Sequence, residues 1–378
     1  MQAIKRFITE KKIADILFWA AYFIELAIVL WDKSAFTVLY EGRLFRITFA
    51  LCILKILCTK YNYREVIVMV ILGAIGFISY RSTGRNEMLR IVAFVMATKN
   101  IDIKKLFKVT LYVTAIGTVV MMLLAAMGVL GTNYMEADFR GVGIERRYCF
   151  GMGHPNAFYC MLLCIFMLWL YVYWEKIRIY QLIIAEIIGV VFFLATDSRT
   201  GFIVYTGGFL TVLIIKIFPK LEKSTLVYVA TLIMTIAYAF ISVFVNVTYS
   251  KYEDMYCKID KVFTSRISAT GWYGQYYKWG LFSHAENLEY FDMGYSRLFY
   301  WYGWIPALLC IVAVLLLIVY CYRKRDIAAC IMILLIATYT LIEAHFVSDY
   351  LGRNYLIFLL GSCFGSAFFL ERNSSVNE

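Results

Sequence analysis

The sequence predicts an all-α integral membrane protein of about twelve transmembrane helices. Three observations carry this expectation: apolar composition, a low charged fraction, and long apolar runs almost free of proline. Of 378 residues, 62% are hydrophobic and 17% charged, with mean hydropathy +0.72. Soluble domains hold about 45–50% apolar residues. Only 3 prolines occur. A crossing helix needs roughly 20 apolar residues, because backbone polar groups in hydrocarbon must be satisfied within the segment.

The apolar runs place spans at about 14–31, 43–58, 66–80, 87–98, 106–130, 156–174, 180–196, 201–217, 225–246, 297–320, 327–345 and 354–370. The fourth is short. Residues 1–378 read as a single polytopic membrane domain without repeats. The basic, polar start MQAIKRFITEKK leads into a helix expected to be retained rather than cleaved. Two loops are long enough to hold structure, at about 131–155 and 247–296. Within the second, Asp260 to Ile267 is expected to form a short helix lying on the membrane.

The net charge is +11. In a soluble protein that would raise nucleic acid as a partner. Here basic loops orient the chain and face anionic lipid, so membrane lipids are expected and nucleic acid is not. Twelve spans put both termini on one side. Of the 37 basic residues, 20 then fall on the terminal side, expected to be cytoplasmic, and 17 outside, five of these in the long loop. The 18% aromatic content suits interfacial belts of Tyr and Trp.

The kind of base is more telling than the count. The inner set holds 14 Lys and 6 Arg, and the outer set 12 Arg and 5 Lys. Orientation alone has no use for this bias. Arginine's planar fork of donors fits phosphate oxygens in bidentate fashion. The outer set is Arg43, Arg46, Arg81, Arg85, Arg90, Arg140, Arg146, Arg147, Arg199, Arg266, Arg297 and Arg353, and it points to an anion site.

Ionisable groups within or beside spans are Glu25, Arg46, Arg90, Glu186 and Glu343. Such groups face a bundle interior or a wet cavity. Glu25 and Arg46 are expected to pair structurally, and Glu186, toward the inner side, has no assigned role. A sharper group shares one depth: Arg147 with His154; Asp197 and Arg199 in TDSRTG; Arg266; Asp292 in YFDMGYSRL; and Glu343, His345 and Arg353. Together they predict a polar cavity opening outward. Singly each has a plainer reading: His154 as the cap of the following helix, Arg199 as the anchor of a tight turn.

No metal or cofactor is expected. HExxH, CxxC, GxxxxGK[ST], DxD and GxSxG are all absent, and there are only 3 histidines. Most of the ten cysteines lie in apolar spans. Cys149 and Cys257, in outer loops, are the one candidate disulfide pair. What remains is positive charge, carboxylates and histidine. That set suits displacement of an anionic leaving group by a hydroxyl, with arginines stabilising the leaving charge and a carboxylate or histidine taking the proton.

Four segments carry a resemblance. RYCFGMGHPNAFY (147–159) resembles the RxxFGFGHPN signature of Wzy-type capsular and exopolysaccharide polymerases. TDSRTGFI (196–203) resembles their TxSR[ST]G motif, DKVFTSRI (260–267) their LxxLLSGR segment, and FDMGYSRLFYWYGWI (291–305) their DNxYxxLxxxG element. Glu343 and Asn354 match a late Glu and Asn. The resemblance covers most of 140–360. It implies a C-type membrane glycosyltransferase architecture, similar to O-antigen ligases, in the bacterial cytoplasmic membrane. It implies a metal-independent polymerase that joins oligosaccharide repeat units carried on undecaprenyl diphosphate, with flippase and chain-length regulator proteins as partners. By the same resemblance Arg147, Arg199 and Arg266 bind the diphosphate, and Asp292 and Glu343 serve as acceptor-binding groups or base. Apart from the resemblance, His154 and Arg353 are further candidates for binding diphosphate or substrate, and His284 is a further candidate base. Met152 stands where Phe is usual, Met293 where Asn is usual, and Ser283 where a glycine follows Leu-Phe.

A lipid-linked oligosaccharide flippase or other transporter also fits twelve spans. Transporters usually bear short outer loops and midplane charge on Gly- or Pro-broken helices, unlike this chain. A ligase moving finished glycan to another acceptor shares the same chemistry. A membrane acyltransferase would need a histidine facing a cytoplasmic acyl donor, whereas His154, His284 and His345 all fall outside in this topology.

Overall fold

The computed structural model describes residues 2–34, 40–138, 143–263, 265–274 and 279–364. The expectations for Arg140, for the polar tail and for the end of the last predicted span lie outside these residues. Fifteen α-helices and one two-stranded hairpin are described. The helices are α1 (Gln2–Lys33), α2 (Glu41–Leu57), α3 (Tyr63–Thr83), α4 (Glu87–Ala97) and α5 (Ile103–Ala126). After the antiparallel strands β1 (Tyr134–Ala137) and β2 (Glu145–Tyr148) come α6 (Pro155–Tyr173), α7 (Ile179–Thr196), α8 (Arg199–Ile217) and α9 (Leu226–Thr248). The chain continues through α10 (Glu253–Phe263), α11 (Arg266–Gly274), α12 (Gly294–Tyr302), α13 (Trp304–Lys324), α14 (Ile327–Ile342) and α15 (Tyr355–Ser362).

Eight helices among the described residues are long and apolar enough to cross a membrane: α1, α3, α5, α6, α7, α8, α9 and α13. Each of the other predicted spans also falls on a helix, the shorter α2, α4, α14 and α15. The bundle is apolar on its outside as well as within. Ile67, Val70, Ile116, Ile187, Leu194, Ile203, Ile233 and Phe240 are all exposed, an arrangement that suits lipid and not water. Helices α6 and α14 are buried on most sides and form the centre, with α5, α7, α8, α9 and α13 packed around them.

Several expectations are corrected. The span at 297–320 is two helices, α12 and α13, broken at Gly303. Gly303 has φ 89°, and a Cβ there would lie 2.6 Å from the Phe282 Cα, so only glycine lets the Gly280–Phe282 segment cross. That segment ties into the break, since the Gly280 and Leu281 carbonyls accept from the Trp304 and Ile305 amides. The loop at 131–155, expected to be long enough to hold structure, contains the β1–β2 hairpin. Residues 260–267 are not one helix. Ser265 takes a positive φ of 63° and ends the path of α10, and α11 begins anew at Arg266. Cys149 and Cys257 are both free thiols.

The partner of Glu25 is Arg90, not Arg46, which is exposed. Glu25 and Arg90 are both buried, 2.6 Å apart. The Thr48 hydroxyl also donates to Glu25 (2.7 Å), Arg90 donates to the Asp349 carbonyl (2.9 Å), and its guanidinium lies 3.6 Å over the Phe45 ring. One buried charge pair thus fastens α1, α2, α4 and the segment before α15. Removing one member leaves an uncompensated charge, which costs about 3–5 kcal/mol. Glu25→Ala should lower the thermal unfolding midpoint of the detergent-solubilised protein markedly, and Glu25→Ala with Arg90→Met should recover part of the loss. An unchanged midpoint for the single variant would refute this role.

Candidate functional site

One end of the bundle holds a polar cavity of about 450 Å3. It is lined by Lys33, Arg147, His154, Asn156, Ala157, Asp197, Arg199, Thr200, Arg266, Tyr290, Asp292, Arg297, Glu343, Ala344 and His345. These come from the ends of α1, β2, α6, α7, α8, α11 and α14, from the segment before α12 and, for Arg297, from α12 itself. The cavity therefore collects Arg147, His154, Arg199, Arg266, Asp292 and Glu343, whose shared depth the sequence suggested.

Arg266 is the hub. As the first residue of α11 it donates to the Thr200 hydroxyl (2.9 Å) and to Glu343 Oε1 (2.6 Å), and its Nε lies 3.5 Å from Asp292. Glu343 Oε1 also accepts from the Asn156 side chain (3.1 Å), whose oxygen accepts from the Ser198 hydroxyl (2.9 Å). The two-residue connection from α7 to α8 and the first turn of α6 are thereby stitched to the end of α14. Gly294, the first residue of α12, makes the junction possible. A Cβ there would meet the Thr340 carbonyl oxygen at 2.8 Å and that of Glu343 at 3.1 Å, so glycine lets the Asp292 turn settle on the end of α14.

A second group lies beside the hub. Arg147 on β2 donates through two nitrogens to Glu145 (3.1 and 2.6 Å) and lies 3.5 Å from Asp197. Asp197 caps α7 with a positive φ of 47°, which Asp tolerates better than most residues. Arg199 opens α8 with its side chain half exposed and only a loose 3.6 Å contact to Asp197.

Arg297 had stood only among the outer bases. It is fully buried, donates to the Phe291 and Val347 carbonyls, and stacks 3.5 Å over Tyr290. It therefore fixes the turn holding Asp292 against the loop holding Glu343. Asn156, Ser198, Thr200 and Lys33 were missed; the polar residues flanking the HP and SR motifs were the available signal.

Two candidates fall elsewhere. His284 is exposed and does not line the cavity. The Gly280–Phe282 crossing at Gly303 and the bonds of Ser283 to Tyr300 carry the chain away before it is reached. Arg353 is buried behind the cavity, donating to the His345 carbonyl (2.7 Å) and the Ser348 hydroxyl (2.9 Å). It braces the loop after α14 and does not face the cavity. Met152 and Met293 both lie in apolar clusters.

The electrostatics follow from burial. Five basic side chains line the cavity against three carboxylates. Burial pushes Glu343, in the segment following α14, up to about 7; Arg266 opposes this and Asp292 adds to it. Burial and then the nearby cations hold His345 neutral, well below the ordinary imidazole range. His154 is also lowered, first by burial, with Arg266 and Arg147 adding to the effect against Asp292. Among the described residues no cluster of His, Cys, Asp and Glu has the arrangement to hold a metal ion.

The fold and cavity together define a polytopic membrane-type helical bundle with an anion-attracting cavity at one end. Comparison with protein-family models, curated proteins and solved structures finds no match.

His154 accepts from the Asn156 amide through Nδ1 (3.1 Å), so the cap of α6 needs the neutral ring. Its pKa is lower folded than unfolded, so the unfolded chain binds more protons and stability falls as pH drops through about 6.5. His154→Asn keeps a capping acceptor and does not titrate. Thermal midpoints measured between pH 7.5 and 5 should therefore fall less steeply in His154→Asn than in the wild type. Equal slopes would refute the assignment.

Proposed function

We propose that this chain is a polysaccharide polymerase of twelve membrane spans, with both termini cytoplasmic and the cavity on the outer face. It transfers a growing glycan from its undecaprenyl diphosphate carrier to a sugar hydroxyl of the next lipid-linked repeat unit. The observation that carries the proposal is Arg266, held between Glu343, Asp292 and Thr200 in a cavity where basic groups outnumber acids. A planar guanidinium beside carboxylates suits a reaction that expels a diphosphate and takes up a proton.

In this reading the acceptor oxygen bonds to the anomeric carbon of the donor. The bond from that carbon to the diphosphate oxygen breaks, and its electron pair leaves on the diphosphate. Arg266, Arg199 and Arg147 stabilise the departing charge. Glu343 takes the hydroxyl proton, having basicity matched to neutral pH. Asp292, whose side chain is half exposed to the cavity, binds the acceptor. A second, apolar cavity of about 200 Å3, walled by Leu72, Val92, Leu309 and Leu356, meets the same loop at Phe346 and Val347. One loop thus has a polar wall for a headgroup and an apolar wall for an isoprenoid chain.

The test is purified protein in nanodiscs, given lipid-diphosphate-linked repeat units without nucleotide sugar or metal. A ladder of longer lipid-linked glycans is expected. Absence of a ladder, with transfer of the same lipid across a liposome bilayer, would favour a transporter instead.

Arg266→Lys keeps the charge but cannot reach Thr200, Glu343 and Asp292 together. It should lower the rate about a hundredfold, the worth of one or two charged hydrogen bonds. Arg199→Lys should lower it about tenfold, and Lys104→Arg and Lys223→Arg should be silent. Full activity of Arg266→Lys would sink the clamp. If Glu343 is the base, the rate should fall as pH drops below about 7, where Glu343 takes up its proton. A flat profile between pH 8 and 6 would remove Glu343 from that role.

A further inference from the structure

The strength of Arg266 as a hub depends on where α11 starts, and the residue that fixes this start lies six positions earlier. The Asp260 side chain is buried near the end of α10, outside the cavity lining. Its two carboxylate oxygens accept from the first free amides of the next helix, Oδ1 from Ile267 (2.9 Å) and Oδ2 from Ser268 (2.7 Å). Its backbone carbonyl accepts from the Ser265 amide (3.2 Å). Between them the chain passes through Ser265 at φ 63°, a strained conformation for a residue with a side chain.

The chemistry gives this contact direction. A helix start leaves unpaired amides and a partial positive charge, and a carboxylate satisfies both. Here the cap comes from the preceding helix and not from the adjoining residue, so it fixes α11 relative to α10 as well as closing its first turn. Ile267 is locked at the same point, buried with Val245, Tyr249, Tyr256 and Met293. Arg266 lies immediately before these anchored residues. A long side chain loses about 2 kcal/mol of rotamer freedom when held, so a fixed base is needed for three simultaneous contacts.

We infer that Asp260 is a positioning residue for the transfer reaction: its carboxylate holds the start of α11 so that Arg266 bridges Thr200, Glu343 and Asp292. This rests on the reading of Arg266 as part of the diphosphate site. Asp260 touches no reacting atom.

The test uses the full chain in nanodiscs and two readouts. The first is hydrogen exchange over residues 265–270, which is independent of any activity. Asp260→Ala should speed exchange there about tenfold, while Asp260→Asn, which keeps one of the two oxygen acceptors, should fall between Asp260→Ala and wild type. Unchanged exchange in Asp260→Ala overturns the cap. The second is glycan-ladder kinetics. Asp260→Ala should lower kcat about tenfold with KM nearly unchanged, and Asp260→Asn, with one acceptor left, should restore part of it. In an Arg266→Lys background, Asp260→Ala should cost almost nothing more, because both changes remove one interaction. Losses that multiply overturn the positioning role, since a structural effect elsewhere would add independently. If Asp260→Ala unfolds the protein, the same cycle run with Asp260→Asn and Asp260→Glu decides the matter. Absence of a ladder from the wild type overturns the polymerase reading, and the exchange data still decide the cap.

Discussion

Charge inside an apolar bundle must be matched atom by atom, and the contact between Arg266 and Glu343 at 2.6 Å is where this molecule meets that demand. Glu343 follows directly on the end of the buried α14, while Arg266 arrives on a helix of the long 247–296 connection. Neither is stable in its place without the other. The pairing obliges the connection to fold back over the bundle end. Thr200, Asn156 and Ser198 join the same network, so α6, α8, α11 and α14 converge at one point. Much of the geometry near the cavity follows from satisfying these two groups.

The arginine bias divides into two uses of one fork-shaped group. Arg90, Arg297 and Arg353 are buried and donate to backbone carbonyls, those of Asp349, of Phe291 and Val347, and of His345. All three fasten the irregular segment between α14 and α15, adding to its few internal bonds, such as those of Ser348 to the His345 carbonyl and Asn354 to the Phe346 carbonyl. Lysine offers a compact point charge and would not span these geometries. Arg147, Arg199 and Arg266 line the cavity, and Arg297 does both, reaching its wall while it braces the segment. Six of the twelve arginines thus serve as scaffold or cavity lining.

Hydropathy made the helices legible, because an apolar exterior leaves runs that no turn interrupts. It could not show the break at Gly303, which arises from a crossing by Gly280–Phe282, a contact invisible in a local window. The β1–β2 hairpin escaped for a related reason: four-residue strands carry little periodic signal. For the site, counting spans gave depth, which is one coordinate. It grouped Arg147, His154, Arg199, Arg266, Asp292 and Glu343 correctly. It could not give lateral position, so Arg353 was grouped at the same level yet lies outside the cavity lining, as does His284, a candidate base from the long loop. The same limit paired Glu25 with Arg46, one turn from the neighbourhood that Arg90 occupies. Asp260 was legible only as one end of a possible helix, because its role comes from the turn at Ser265.

The direction of the helices adds a further bias to the cavity. Helices α6, α8 and α11 begin there, and α12 begins two residues after Asp292. Each start carries partial positive charge from free amides. Helices α1, α7 and α14 end there, on Lys33, Asp197 and Glu343. Four starts against three ends leave the dipoles adding slightly to the excess of basic side chains. The same arrangement explains why Glu343 is held at all. A carboxylate at a helix C-terminus is disfavoured by the dipole, and Arg266 answers it from the start of α11. An incoming anion would compete with Glu343 for that guanidinium, while Glu343, shifted toward neutral pH by burial, can take up a proton as its partner is drawn away. In the proposed transfer, binding of the diphosphate charge and uptake of the acceptor's proton would be coupled through this one ion pair.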